Sequence, residues 1–171
     1  TGVEVLPSAR LAWKASAEQL LWSAISRAVR TPSRIDRDFY APSQPPYLLT
    51  GNTTFRAEVA NVIELGYRAQ PTKTMSYSVT AFHAVYDDLR SLERLASGSF
   101  VIGNQMEGST SGIEAWGAYQ ATPTWRLSAG FTAMKERLRL KPGSTDPIVI
   151  RGARNDPAHS WQLRSAWDIA A

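Results

Sequence analysis

In a chain without cysteine, catalysis would fall first to the two histidines, His83 and His159. Neither has a serine, a cysteine or a second histidine at a spacing that suggests a nucleophilic triad or a zinc site. His83 sits among residues of strand type and His159 follows Asp156-Pro157, so both read as structural or surface groups. Asp87-Asp88 offers two carboxylates to a cation, yet neighbouring residues of a strand point to opposite faces, which favours a solvated strand end. The densest constellation is Arg34-Ile35-Asp36-Arg37-Asp38 followed by Phe39-Tyr40. Arginine presents a planar fork to carboxylate or hydroxamate oxygens, and aromatic rings stack on planar ligands. Arg34, Asp36, Arg37, Asp38 and Tyr40 are therefore the candidate ligand contacts. The same charges could instead neutralise one another and hold their loop. The chemistry on offer is recognition: no catalytic set, metal-ligand set or cofactor site is expected.

These residues lie in a stretch, 32 to 54, that carries Pro32, Pro42, Pro45, Pro46, Gly51 and Asn52. Such a segment reads as a long surface loop of the functional kind. The elements around it must be strands, because apolar and polar residues alternate for ten positions or more. In Ser160 to Ile169 the odd positions carry Trp161, Leu163, Trp167 and Ile169, against Gln162, Arg164, Ala166 and Asp168. Pleated strands send successive side chains to opposite faces. The alternation predicts long strands from Val3 to Ala15, Gln19 to Thr31, Phe55 to Ala69, Thr74 to about Ser91, Ser99 to Ala121, from Trp125, and at the C-terminal end. Tight turns fall at 16–18, 70–73 and 122–124, a short break at 95–98, and a second long loop at 141–157. Parity blurs beyond Ala81, where Phe82 and Tyr86 fall on the polar side, and a bulge is expected between Asn104 and Gly112. Leu11, Trp13, Ile63, Leu65, Tyr67, Tyr77, Val79, Leu127, Phe131, Trp161, Leu163 and Trp167 should share one apolar face.

The strands exceed the roughly 5–6 residues of an ordinary one and match the 9–11 that cross an outer membrane. Short turns alternate with long loops, as in up-and-down membrane barrels. The expected fold is all-β, an antiparallel up-and-down meander of about seven long strands. Outer-membrane barrels of single bacterial chains use even strand numbers, so this sheet is not expected to close alone. Mean hydropathy is −0.26 and no apolar run reaches about 18 residues, which excludes a transmembrane helix but not a membrane barrel. The net charge of +4 is too mild and too scattered to argue for nucleic acid.

The local sequences also carry a family likeness. Trp22-Ser23-Ala24-Ile25-Ser26-Arg27-Ala28-Val29-Arg30-Thr31-Pro32 resembles the S-R-A-x-R-x-P segment of TonB-dependent outer-membrane receptors. Gly51-Asn52, Glu58 and Glu64-Leu65-Gly66-Tyr67-Arg68 follow, like that family's G-N and E-L-G-Y-R elements. Phe82 with Tyr86-Asp87-Asp88-Leu89, then Asn104 with Gly108, Gly112 and Glu114, and late Asn155-Asp156-Pro157-Ala158-His159 are similar to its remaining motifs, in the same order. The resemblance implies part of a barrel of about 22 strands with a plugged lumen. It implies import of a scarce nutrient such as a ferric siderophore, haem or cobalamin, and location in the bacterial outer membrane. The implied partners are the small nutrient ligand, outer-membrane lipid and an energy-transducing TonB complex. Residues 1–171 are expected to be a middle-to-late piece of the barrel, without the plug domain, the TonB box or the remaining strands. Such a fragment, with open edges, is expected to self-associate.

Two other classes remain. A soluble β-sandwich or lipocalin-like small-ligand binder would use the same apolar face as a core, and a β-rich enzyme would need a constellation that the sequence lacks. Arg90, Arg94, Arg137, Arg139, Lys141, Arg151 and Arg154 fall near the ends assigned to the outside, where lipopolysaccharide phosphates would lie; loop solubility explains the same residues.

Overall fold

The computed structural model describes residues 3–152 and 156–169. The chain runs β1 (Ser8–Lys14), β2 (Gln19–Arg30), α1 (Arg34–Asp38), β3 (Tyr40–Ala41), β4 (Leu49–Thr50), β5 (Glu58–Thr72), β6 (Met75–Arg94), β7 (Phe100–Thr122), β8 (Trp125–Leu140), α2 (Val149–Gly152) and β9 (His159–Trp167). Seven long strands neighbour one another in chain order, every pair antiparallel, with the two-residue strands β3 and β4 added at one end. The expected all-β meander is therefore present. No helix among the described residues is long and apolar enough to cross a membrane, which says nothing of strands.

Register decides the two faces. Residues directly opposite across a ladder lie on the same side. Trp13, Leu21, Tyr67, Val79, Ala115, Phe131 and Trp161 are successive partners across all seven strands. Leu11, Ser23, Leu65, Ala81, Ile113, Ala133 and His159 form a parallel row. All twelve residues assigned to the apolar face share it. Leu163 stands opposite Ala129 while Arg164 stands opposite Ser128, so those neighbours part to opposite faces. No second layer covers this side among the described residues: Leu11 is 73% exposed, Trp161 79% and Leu163 71%.

The opposite face packs by glycines. A Cβ on Gly66 would come within 2.1 Å of the Trp22 indole, and one on Gly112 within 2.6 Å of the Phe82 ring. Phe82 thus corrects the expectation that parity blurs past Ala81. The alternation continues through the Val59–Asp87 pair, and Phe82 is an inner-face residue lying over a glycine.

The boundaries also shift. Residues 3–7 are not strand, and Pro7, which cannot donate to a ladder, marks the change. Phe55 belongs to the loop, where it is buried, and β5 begins only at Glu58. The irregularity expected at 104–112 falls at its near end. Pairing slips between Tyr86 and Leu89 on β6, then back between Leu89 and Ser91, across from residues 103–108 of β7. At 20 and 23 residues, β6 and β7 exceed a membrane crossing, so their hairpin projects past the rest of the sheet.

Candidate functional site

Above the apolar rows, the loop between β2 and β5 is folded around one carboxylate. Ser33 caps α1: its hydroxyl accepts the Asp36 N–H, while Asp36 Oδ2 accepts the Ser33 N–H and hydroxyl, each at 2.8 Å. Asp36 is fully buried, with Arg30 Nη1 at 2.9 Å and Arg90 Nη1 at 3.6 Å. Arg30 also grips Glu58 with two N–H groups, at 2.6 and 2.9 Å, and lies over the buried Phe55 ring. Burial pushes the Asp36 carboxyl up, but the hydrogen bonds from Arg30 and Ser33 outweigh it and hold the group below the usual carboxylate range. The return stretch is sewn to the helix by Gly51, whose N–H donates to Phe39 O, and Asn52, whose N–H donates to Asp36 O. Gly51 runs so close to the Arg37 carbonyl carbon that a Cβ there would stand 2.6 Å away.

The five candidate contacts separate by position. Asp36 faces inward and anchors the loop. Arg37 is half-buried and donates to the Thr53 carbonyl. Arg34, Asp38 and Tyr40 are exposed, and Tyr40 packs against Tyr47 with ring centroids 5.1 Å apart. No ion pair joins the charges of the 34–38 run to one another among the described residues: the partners of Asp36 are Arg30 and Arg90, outside that run. Arg27, Arg37 and Arg56 line an adjoining cleft of about 430 Å³ together with Glu4 and Asp88.

A second node corrects the reading of Asp87-Asp88. Asp88 has φ of 56°, within the slipped stretch of β6, and this breaks the alternation. Both carboxylates consequently meet the Lys141 ammonium, Asp88 at 2.6 Å, and Asp88 also holds Arg56. Asn104 completes the node: it accepts the Arg56 N–H and donates to the carbonyls of Arg56 and Asp88. Lys141, just past β8, is disfavoured as a cation by burial, yet its hydrogen bonds to Asp87 and Asp88 prevail and raise its pKa.

A third node fastens the loop after β8. Glu93 accepts from Ser144 Oγ and from the N–H and hydroxyl of Thr145. Asp146 accepts the N–H groups of Leu92, Ile148 and Val149. The N–H groups of Arg90, Leu92 and Arg94 alternate along β6 and are met by Glu58, Asp146 and Thr145 side chains in turn. Beyond its pairing with β5, this edge of β6 is satisfied by side chains rather than a strand.

The two loops therefore cross. The first leaves β2, passes β6 and adds β4 parallel to β7, Leu49 opposite Phe100. The second leaves β8 and returns past β7 to cap β6. Sequence reasoning quoted Arg30, Glu58 and Asn104 as members of family motifs and gave them no part in the site; it did not single out Asp146, which lies in the loop between β8 and α2.

Of the basic residues near this end, Arg90 turns to Asp36 and Lys141 to the two aspartates. Arg137 and Arg139 are exposed on the outward face, Arg151 is exposed in α2, and Arg154, like Asn155, lies outside the described residues. His83 is also on the outward face, its Nδ1 2.7 Å from Ser111 Oγ, and His159 stacks on Phe131. No cluster of three or more metal-ligating groups is present among the described residues.

The family described as TonB dependent receptor-like, beta-barrel matches residues 1–168. The chain belongs to this family. No curated protein sequence matches it significantly. Among solved structures it is similar to the siderophore receptor PirA from Pseudomonas aeruginosa, with 17% identity and a TM-score of 0.70 over 96% of this chain and 31% of that one. It is similar to the FrpB iron transporter from Neisseria meningitidis (F3-3 variant), at 15% identity and a TM-score of 0.66 over 95% of this chain and 24% of that one. The copper transporter OprC shares 12% identity, with a TM-score of 0.63 over 95% of this chain and 24% of that one. At such identities the likeness is one of fold. The TonB-dependent receptor chain described here spans 24% to 31% of the length of these relatives.

Proposed function

We propose that this chain is a section of an outer-membrane receptor barrel that imports a scarce nutrient as a small, anionic metal chelate such as a ferric siderophore; haem and cobalamin belong to the same reading. The observation that carries it is the uncovered apolar face, finished at the short-turn end by a belt of aromatics. Trp13, Tyr67, Tyr77, Tyr119, Trp125 and Trp167 all sit on the outward face close to the three tight turns. Aromatic girdles of this kind mark the two interfaces of a membrane barrel. The short turns then lie on the periplasmic side and the crossed loops outside, where a nutrient would be met. Outer-membrane lipid covers the apolar face, and a plug and the contact with a TonB complex belong to parts of the receptor beyond this segment. A β-sandwich is not favoured, because among the described residues no second sheet lies over the apolar rows.

Arg34, Asp38 and Tyr40 are the exposed residues from which ligand contact is proposed, with Arg37 and Asp36 shaping the loop behind them. In the full-length receptor, Arg34→Ala should weaken binding of ferric chelates about tenfold, the scale of one charge-assisted hydrogen bond. Surface expression should be unchanged. Binding of radiolabelled ferric chelates to cells that display the variant at wild-type level checks this, and unaltered affinity would remove Arg34 from the site.

A further inference from the structure

The inner face of the sheet changes character toward the short turns. Among the described residues of the long strands, Trp116 is the one exposed large apolar side chain, at 45%, that is turned inward. It shares a row with Arg68 on β5, Ser78 on β6, Gly130 on β8 and Gln162 on β9. The Arg68 guanidinium lies over its ring, 6.0 Å from the centroid. Gly130 keeps the wall low on the other side, where the Gln162 amide nitrogen lies 2.9 Å from the place of the missing Cβ.

One row nearer the turns, Arg164 stands opposite Ser128, and in the next row Arg126 stands opposite Ala166. These four residues line a hollow of about 410 Å³. Arg68, Arg126 and Arg164 are all exposed, and none has an ion pair among the described residues. The inner-face carboxylates Glu64 and Glu114 lie on the loop side of Trp116, and Asp168, just past β9, pairs with none of the three. A wall lined by one sign of charge focuses its field on an anion. Guanidinium forks match carboxylate oxygens, and an indole face takes a flat ring. We propose that this part of the lumen wall is a second binding station for the imported anionic metal chelate, near its periplasmic exit. Arg126 and Arg164 meet the anionic oxygens, and Trp116 under Arg68 takes the planar part. Lipid does not reach these residues, because they alternate with Leu127, Ala129 and Leu163 of the outward face. A free inorganic anion has no use for Trp116. The inference rests on the import reading proposed above and concerns the cargo after it has left the outer loops.

Cells displaying the full-length receptor would be offered a radiolabelled ferric tris-catecholate, ferric citrate or haem. Surface binding is read on de-energised cells and uptake on energised ones. The wild type should take up one of the three; uptake of none would overturn the import reading itself, and the station with it. For the chelate taken up, Arg126→Gln with Arg164→Gln should lower the uptake rate roughly tenfold, the scale of one lost charge-assisted hydrogen bond. Surface affinity should stay within about twofold, because the outer loops are distant from the change. Arg126→Lys with Arg164→Lys, which keeps the charge and loses the fork, should cost less than about threefold. Trp116→Leu leaves every charge in place and should lower uptake about threefold, the scale of a lost cation–aromatic contact. Unchanged uptake by the displayed glutamine and leucine variants would overturn the station while the import reading stands. So would a parallel loss of surface binding, which would tie the arginines to the outer site. New entry of a large glycopeptide antibiotic would overturn it too, by showing that the arginines hold the plug in place instead.

Discussion

Individual residues carry this fold through pairs in which one side chain occupies the space of a missing one. The Trp22 indole lies where a Gly66 side chain would be, and the Phe82 ring lies over Gly112. Gly66→Val should cost about 1–3 kcal/mol by overpacking against Trp22, whereas Gly117→Ala, whose new Cβ would find its nearest neighbour at 3.5 Å, should be close to neutral. Urea unfolding of the receptor in lipid vesicles measures both, and equal effects would mean that the Trp22–Gly66 contact is not a packing constraint. Asp36 supplies a prediction with a defined sign. Its carboxyl is depressed, so the stability it contributes is present above the unfolded pKa and is lost as pH falls through the folded one. Protection of the Asn52 amide should therefore hold from pH 7 to 5 and decline only below about pH 4. A midpoint near pH 6 in hydrogen exchange would point to a different group. These details were not legible in the sequence. Arg34-Ile35-Asp36-Arg37-Asp38 reads as a local charge cluster, but its central carboxylate is neutralised from β2 and β6, and only tertiary structure brings Arg30 and Arg90 there.

Among the elements, the strands were largely legible and the loops were not. A two-residue period survives any tertiary context in which one face is apolar, so the rows through Val79 and Phe131 follow from alternation alone. Asp87-Asp88 defeated that rule because Asp88 adopts a positive φ, which aspartate tolerates better than most residues. The crossing of the loops left no local trace at all, since it is made by contacts between residues more than fifty positions apart, such as Leu92 with Asp146. Asp146→Ala removes the acceptor of three backbone N–H groups. It should speed exchange of the Leu92 amide at least about tenfold, the equivalent of one net hydrogen bond, and leave Ala84 in the mid-strand unaffected. If Leu92 keeps its protection, the loop after β8 does not cap β6 through this side chain.

At the scale of the whole molecule, the sheet has two unpaired edges among the described residues, where β1 pairs only with β2 and β9 only with β8. With an uncovered apolar face as well, the isolated 171-residue chain should self-associate in detergent-free buffer. A monodisperse monomer by analytical ultracentrifugation would contradict this. The family's fold was legible from ordered short motifs, but the cargo was not. Structures that share this fold, with TM-scores from 0.63 to 0.70, include a siderophore receptor, an iron transporter and a copper transporter, so the fold alone does not identify a ligand. The central claim is that one face of a single continuous sheet meets lipid. The chain contains no cysteine, so each introduced one is unique within it. Spin labels placed singly at 128 to 133 along β8 of the full-length receptor in lipid bilayers, read by collision with oxygen and with a water-soluble nickel chelate, test it directly. The labels at 129, 131 and 133 should favour oxygen, and those at 128, 130 and 132 the nickel chelate. Equal access at both parities, or the reverse order, would contradict the account.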